Sequence, residues 1–186
     1  MTDHQLAPLD NVIAQHHIQS PKDAFYVAID GRSGSGKSTL AQHLATKYQM
    51  AIFHLEDLYQ GWDGLDAGIE TYLTKILPTL NTGKILQYLG WDWHNNIAQT
   101  QTFTPQQFMI FEGVGSCDHR ALKFLNYSIW IECGEKERKA RALARDGETF
   151  APHWNQWAKQ EQEWLSAHNP RTEVDLVIKG GSKFYD

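Results

Sequence analysis

An eight-residue segment that contains three glycines and ends in Lys-Ser constrains this chain more than any other feature. Residues 31–38 form the sequence Gly-Arg-Ser-Gly-Ser-Gly-Lys-Ser, which matches the pattern G-x-x-x-x-G-K-[ST] in full. The apolar, β-rich run Phe25–Asp30 precedes it, and Lys37–Tyr48 follows with apolar residues at helical spacing. This strand–loop–helix context predicts a phosphate-binding loop, because a glycine-rich backbone can point successive N–H groups at phosphate oxygens.

The loop pattern also predicts how each part binds Mg-ATP. The N-terminus of the following helix presents its positive dipole end to the same anion. Lys37 brings a mobile positive charge to the β- and γ-phosphate oxygens, and the Ser38 hydroxyl can coordinate Mg²⁺. The predicted nucleotide-binding residues are Gly31, Arg32, Ser33, Gly34, Ser35, Gly36, Lys37, Ser38 and Thr39.

Short apolar runs alternate with helical patterns along the rest of the chain. Four further strands are predicted, at 51–55, 108–111, 127–131 and 174–178. Helices are predicted at 5–19, at 65–77 (ended by Pro78), at 135–145 and at 154–168. Apolar strands that alternate with helices predict a five-stranded parallel sheet with helices on both faces. The expected fold is therefore the α/β P-loop NTPase fold, nucleoside monophosphate kinase-like, in a single domain over residues 1–186.

Composition argues for an ordinary globular protein. The chain is 41% hydrophobic and 21% charged, and its 186 residues suffice for one compact core. The net charge is −5 and no block of lysines and arginines occurs, which argues against a nucleic-acid partner. The two cysteines have no metal-ligand spacing, and no signal peptide or membrane span is evident. We therefore expect a cytoplasmic protein with no membrane partner.

Acidic residues stand at the ends of three predicted strands, at Asp30, at Glu56-Asp57 and at Glu112, where open α/β sheets bind their ligands. Glu112 ends the third apolar run, and its carboxylate is predicted to hold Mg²⁺ together with Ser38. Glu56 and Asp57 follow the second run. Phosphoryl transfer to an alcohol needs a carboxylate that orients the hydroxyl and accepts its proton. One residue of this pair is predicted to do so.

Two helices near the C-terminus allow more than one interpretation. The first carries three arginines on one face: Arg138, Arg141 and Arg145. A lid region is expected at about residues 138–158, in which the helix ends and the mobile part begins near Asp146-Gly147. These arginines either form a solvated face paired with neighbouring glutamates or close over the phosphates and stabilise transition-state charge. The tryptophan face of the second helix, 154–164, is interpreted as core packing.

With these motifs in place, the chain resembles the uridine kinase-like branch of the nucleoside monophosphate kinase-fold P-loop proteins. The resemblance covers about residues 25–180, and its motifs occur in the family's order. Glu56-Asp57-Leu58-Tyr59 looks like the family's D-x-F-Y segment, and Phe111-Glu112-Gly113 resembles its strand-end E-G. The three arginines and Asp146 are similar to the helix that enters the family's lid, which favours their phosphate-binding interpretation. The segment 175–181 resembles the last strand and the loop that borders adenine.

The resemblance implies an acceptor site. The family's Asp base, which acts on a 5′-hydroxyl, corresponds by position to Glu56 and by residue type to Asp57, and Asp57 is preferred. Residues 62–67 are similar to the family's F-D-H-P-D-A, whose first Asp holds sugar hydroxyls, and 91–93 look like its Y-D-W segment near the acceptor base. The implied acceptor residues are Asp63, Trp62, Tyr59 and Trp93. The His and Arg that follow this segment in uridine kinases are absent from the matching positions, which argues against uridine itself.

The resemblance therefore implies a kinase that transfers the ATP γ-phosphate to a hydroxyl of a nucleoside or similar neutral acceptor. A nucleoside monophosphate kinase needs an extra acceptor-side arginine, yet 56–106 contain no Arg and, as lysines, only Lys75 and Lys84. Arg120 can still reach in, so that alternative stays open. A non-catalytic ATP-binding switch is the other alternative. A homodimer is an expectation from the family alone, since the sequence itself shows no interface.

Overall fold

The computed structural model describes residues 5–180 and contains the predicted α/β fold. Its strands are β1 (Phe25–Asp30), β2 (Ala51–His54), β3 (Leu86–Asp92), β4 (Ile97–Phe103), β5 (Phe108–Glu112), β6 (Tyr127–Glu132) and β7 (Leu176–Lys179). Its helices are α1 (Ala7–Gln19), α2 (Lys37–Tyr48), α3 (Leu65–Thr71), α4 (Leu77–Leu80), α5 (Glu135–Phe150) and α6 (Trp154–His168). None of the described helices is long and apolar enough to cross a membrane.

The central sheet has the five parallel strands that were predicted, and their order is β2-β5-β1-β6-β7. Successive side chains of β1 enter two different core layers. Val27 packs with α1 and α2 through residues such as Leu9 and Leu40, whereas Tyr26 packs on the other face with residues such as Ile69 of α3. Because both faces are covered, every residue of β1 is buried. Because all five strands are parallel, their carboxyl ends meet at one edge of the sheet, and the candidate site forms there.

The helix that begins at Leu65 does not end at Pro78. It continues to Leu80 through a π-helical turn at Tyr72–Ile76, in which the Leu77 N–H donates to the Tyr72 carbonyl. This register shift starts a new helical turn in which Pro78 is one of the first residues, where its missing N–H leaves no hydrogen bond unmade. The predicted helix end was therefore wrong.

Strands β3 and β4 form an antiparallel hairpin that the sequence analysis did not predict. Most side chains of β4 are exposed, so the segment lacks the apolar run that marked the sheet strands. The hairpin packs against the 3₁₀ turn Leu55–Leu58, where the indole N–H of Trp93 donates to the Glu56 carbonyl at 2.9 Å. This contact brings a distant segment of the chain to the end of β2.

Helix α5 continues beyond its predicted end at residue 145. Its backbone breaks at Gly147, with φ 54° and ψ −131°, where the lid was expected to begin. In the last strand, β7 begins at Leu176 rather than at 174. Gly180 follows it and donates its N–H to the Glu132 carbonyl at 2.7 Å, whereas Gly181 lies outside the described residues.

Candidate active site

The phosphate loop has a backbone that only glycines adopt easily. Gly31, Gly34 and Gly36 have φ values of 145°, 78° and 104°. A Cβ at Gly34 would lie 2.1 Å from the Arg138 carbonyl oxygen, so the loop also needs glycine for space. Helix α2 begins directly after the loop at Lys37. The loop is therefore a glycine-dependent turn that leads directly into α2, and its residues Ser33, Gly34, Lys37 and Ser38 line a cavity.

Asp30 holds this loop in place from beneath. Its buried carboxylate accepts the N–H of Gly31 at 2.6 Å, of Cys117 at 3.0 Å and of Gly115 at 3.1 Å. Burial raises the pKa of Asp30 to about 6, although these N–H donors and the charge of Lys37 favour the ionised form. Asp30 thereby joins the phosphate loop to the loop that follows β5. The sequence marked it only as an acid at a strand end.

Ser38 and Glu112 lie together, as their predicted role in holding a metal requires. The Ser38 hydroxyl donates to Glu112 Oε1 at 3.1 Å, and His54 Nδ1 lies 2.6 Å from the same oxygen. Burial acts to raise the pKa of Glu112, but the His54 hydrogen bond and the Lys37 charge keep it below its usual value. A buried, ionised carboxylate beside a serine hydroxyl is a donor set that suits Mg²⁺.

His54 is a site residue that the sequence analysis missed. It is the last residue of β2 and pairs in register with Glu112 of β5. The hydrogen bond to Glu112 is the main cause that raises the pKa of His54. Its place at a strand end, two residues before an acidic pair, was the available signal.

Glu56 lines the main cavity and Asp57 does not, so position favours Glu56 where residue type favoured Asp57. The cavity has a volume of about 580 Å³ and also contains the phosphate loop and Glu112. The two acids belong to the 3₁₀ turn Leu55–Leu58, in which successive side chains point about 120° apart. The pKa of Glu56 is raised, first by burial and then by the charge of Glu112. Burial likewise raises the pKa of Asp57.

The expected acceptor aromatics line the cavity beside Glu56: Tyr59, Trp62 and Trp93. Trp62 stacks on His153 at 4.5 Å with a 9° interplanar angle, and on Phe150 at 5.2 Å. The Trp93 ring lies 4.7 Å from Trp62. Tyr59 is buried and its hydroxyl donates to the Val114 carbonyl at 2.7 Å. These rings form an aromatic wall of the cavity that the phosphate loop also lines.

Asp63 lies next to this wall but its side chain is already bonded. Asp63 Oδ1 accepts Gln156 Nε2 at 2.6 Å, and the residue does not line the cavity in this conformation. The Gln156 amide occupies Oδ1, whereas a carboxylate offers further lone pairs on both oxygens to an acceptor hydroxyl. The predicted contact with the acceptor therefore stays a prediction.

The three arginines of α5 lie in three different environments. Arg138 is buried, and its guanidinium donates from Nη1 to the Ser33 carbonyl at 3.1 Å rather than lining the cavity. Arg141 Nη2 pairs with Glu137 Oε1 at 2.6 Å, which matches the solvated-face interpretation. Arg145 lines the cavity and is paired with Asp146. Of the three, Arg145 is therefore the one placed to face a bound phosphate.

Helix α6 supplies two site residues that the sequence analysis treated as packing or passed over. Trp157 lines the cavity, whereas Trp154 and Trp164 of the same face are buried in the core as expected. Glu161 is buried, and its carboxylate accepts the Ser33 N–H at 2.7 Å and Arg32 Nε at 3.0 Å. The Arg32 side chain accordingly points to α6 and away from the cavity. A charged residue within a tryptophan face was the signal.

Arg120 does not reach the main cavity. Its guanidinium bonds Asp118 at 2.9 and 3.0 Å and Glu70 at 2.6 Å, beside a separate surface cavity. Asp118 also lies near His119 and His168, but its carboxylate is occupied by Arg120. Within the described part of the chain, the lysine and arginine side chains that line the main cavity are Lys37 and Arg145.

Comparisons with known proteins identify the fold. The structure matches a possible uridine kinase from Bacillus stearothermophilus with a TM-score of 0.61 and 17% identity, covering 92% of this chain and 99% of that one. It matches a candidate fructose transport system kinase from a Silicibacter species with a TM-score of 0.65 and 18% identity, covering 93% and 98%. No family model matches the sequence, and a search of curated proteins finds no significant match. The chain thus has the fold of uridine kinase-like P-loop kinases.

Proposed function

We propose that this chain is an ATP-dependent phosphotransferase that acts on a hydroxyl of a small acceptor carrying no phosphate. One observation carries the proposal. A single cavity is lined by the phosphate loop, by Ser38 bonded to the buried Glu112 and, beside an aromatic wall, by the carboxylate of Glu56. Phosphoryl transfer needs a phosphate cradle, a metal-binding carboxylate and a base near the acceptor, and these three parts occur together here.

The nucleotide half binds ATP through the loop amides and the Lys37 ammonium group. Ser38 and Glu112 would hold Mg²⁺, which when bound neutralises charge on the phosphates. Lys37 lines the cavity with its side chain largely buried, which strengthens its attraction to phosphate. Arg145 faces the same space and adds positive charge as negative charge develops on the transferred group.

The acceptor half uses Glu56 as the base. A Glu56 carboxylate oxygen accepts the proton of the acceptor hydroxyl while the hydroxyl oxygen bonds the γ-phosphorus. The bond between that phosphorus and the β–γ bridging oxygen breaks, and ADP leaves. The raised pKa of Glu56 improves its strength as a base. Its place in the cavity, rather than its residue type, supports this assignment over Asp57.

The lining of the cavity supports a neutral, ring-bearing acceptor such as a nucleoside. Trp62 and Trp93 offer aromatic surface for a flat ring. Lys37 and Arg145 serve the ATP phosphates, and Arg120 lies outside the cavity. A phosphate group on the acceptor would therefore lack a dedicated cation, which argues against a nucleoside monophosphate.

The test measures ATP consumption by the purified protein with Mg²⁺ over a panel of nucleosides, vitamins and small sugars. We expect one acceptor class to raise turnover above the acceptor-free rate. Glu56→Gln should then lower this stimulated turnover by about 10²-fold or more, because general-base catalysis contributes that much. ATP binding should be retained in this variant.

The neighbouring substitution Asp57→Asn is the matched control, because it makes the same chemical change one residue away. It should change turnover by less than about threefold, since Asp57 does not line the cavity. A larger loss in Asp57→Asn than in Glu56→Gln would reverse the assignment of the base. ATP binding with no stimulation by any acceptor would instead favour a nucleotide-dependent switch.

A further inference from the structure

One face of helix α6 contacts both halves of the cavity. Four side chains within two helical turns make these contacts: Gln156, Trp157, Gln160 and Glu161. Residues four positions apart lie on the same face of a helix, so Gln156 aligns with Gln160 and Trp157 aligns with Glu161 on two adjacent stripes. The proposed kinase reaction does not assign a role to this face.

The Glu161 carboxylate binds both a backbone N–H and a side chain of the phosphate loop. The carboxylate accepts the Ser33 N–H at 2.7 Å, Arg32 Nε at 3.0 Å and Trp157 Nε1 at 3.1 Å. Trp157 Nε1 also lies 2.9 Å from the Ser33 hydroxyl. Three donors from two separate elements therefore converge on one buried carboxylate.

Glu161 is fully buried, and both of its carboxylate oxygens accept hydrogen bonds. A buried carboxylate is costly unless it is paired and hydrogen-bonded, and here both conditions hold. Arg32 is further fixed by its bond to the Ala158 carbonyl at 2.9 Å. Arg138 Nη1 lies 3.9 Å from Glu161 and donates to the Ser33 carbonyl at 3.1 Å. Ser33 is thus held through both its N–H and its carbonyl.

Helix α6 also holds the acceptor side of the cavity, through two glutamines that lie one helical turn apart. Gln160 Nε2 donates to the Trp62 carbonyl at 2.6 Å, and Gln156 Nε2 donates to Asp63 Oδ1 at 2.6 Å. Trp62 belongs to the aromatic wall of the cavity. A shift of α6 would therefore move the Trp62–Asp63 backbone and the phosphate loop together.

We propose that Glu161 is a positioning residue and that α6 couples the phosphate loop to the acceptor segment 62–63. Nucleotide binding at the loop then orders the acceptor segment through Glu161, Trp157 and Gln160. The inference rests on the proposed function only in that the loop binds ATP. It requires no knowledge of the acceptor.

The first experiment compares ATP affinity, with Mg²⁺ present, in the wild-type protein and in Glu161→Gln. The amide of glutamine turns an N–H₂ group toward donors that need an acceptor, so we expect about a tenfold or greater loss of ATP affinity. Glu163→Gln is the matched control on the same helix. Its carboxylate is exposed and pairs at 3.7 Å with exposed Lys159, so ATP affinity should not change.

The second experiment measures amide hydrogen exchange of 60–65 with and without ATP, far below the melting temperature. ATP should slow exchange there in the wild type and in Glu163→Gln, but not in Glu161→Gln at saturating ATP. A purely structural role would lower the melting temperature without removing this ATP response. Equal protection of 60–65 in Glu161→Gln would overturn the coupling.

If Glu161→Gln does not fold, Trp157→Phe tests the same connection with a smaller change. Phenylalanine keeps an aromatic ring but removes the donor to Ser33 and Glu161, so the exchange response of 60–65 should weaken. An undiminished response would count against the proposal. A wild-type protein that does not bind ATP would contradict both the proposed function and the coupling. An unchanged exchange response in the variants would contradict only the coupling.

Discussion

The two halves of the cavity are built in different ways. The nucleotide half comes from one contiguous segment, Gly31–Ser38, with Glu112 added from the adjacent strand. The acceptor half combines the turn after β2, the β3–β4 hairpin and the helices α5 and α6. A contiguous motif carries its own geometry, whereas a composite wall depends on packing between distant segments. The first half should therefore be sensitive to single atoms, and the second should tolerate more change.

The largest expected effect separates the halves at Lys37. Lys37→Ala removes the loop's mobile charge, and we expect acceptor-stimulated turnover to fall by on the order of 10³-fold. The loss should be similar for every acceptor, because Lys37 serves the nucleotide. Steady-state assays with two acceptors check this. A loss that depends on the acceptor would break the division into halves.

The next effect concerns the space inside the phosphate loop. Gly34→Ala places a methyl group 2.1 Å from the Arg138 carbonyl oxygen at a φ of 78°, so we expect the free energy of unfolding to fall by about 3 kcal/mol. Gly134→Ala is the control, since a Cβ there meets nothing within 4 Å. Denaturant unfolding should show a change of about 0.5 kcal/mol or less for the control. Equal effects would contradict the packing described for the loop.

The arginines of α5 provide a comparison within one helix. Arg145→Gln should lower turnover by about tenfold, because this side chain faces the cavity. Arg141→Gln should leave turnover nearly unchanged, since Arg141 pairs with Glu137 on the helix surface. Both variants are to be compared at saturating ATP. A larger effect of Arg141 would indicate that the lid closes differently when nucleotide binds.

The smallest effect lies in the hairpin. Trp93→Phe removes the donor to the Glu56 carbonyl, so turnover should fall by about fivefold, with the KM for ATP unchanged. Trp91→Phe is the matched control, because the buried indole N–H of Trp91 has no hydrogen-bond partner among the described residues. Loss of that group should cost little. A change in ATP binding for Trp93→Phe would show that the hairpin also acts on the nucleotide half.

Sequence reasoning was most successful where residues near in the chain carry the signal. The sheet strands and the start of α2 follow from apolar runs and a glycine pattern, and the structure contains them. The β3–β4 hairpin was missed because its exposed strands lack such a run. The end of the helix that begins at Leu65 was predicted wrongly, because a π turn shifts the register before Pro78. Neither feature changes the spacing of apolar residues, which is the pattern from which the helices and strands were predicted.

By itself, the sequence determined the parallel α/β fold and the phosphate loop with its Ser38 and Glu112 partners. These follow from residue order, because glycine torsions, apolar strands and strand ends are local properties. Only the tertiary structure decided that Glu56 rather than Asp57 lines the cavity, that Arg145 faces it, and that Glu161 holds the loop. Those outcomes depend on which side chains packing turns inward, and that direction is set by contacts between segments far apart in the chain.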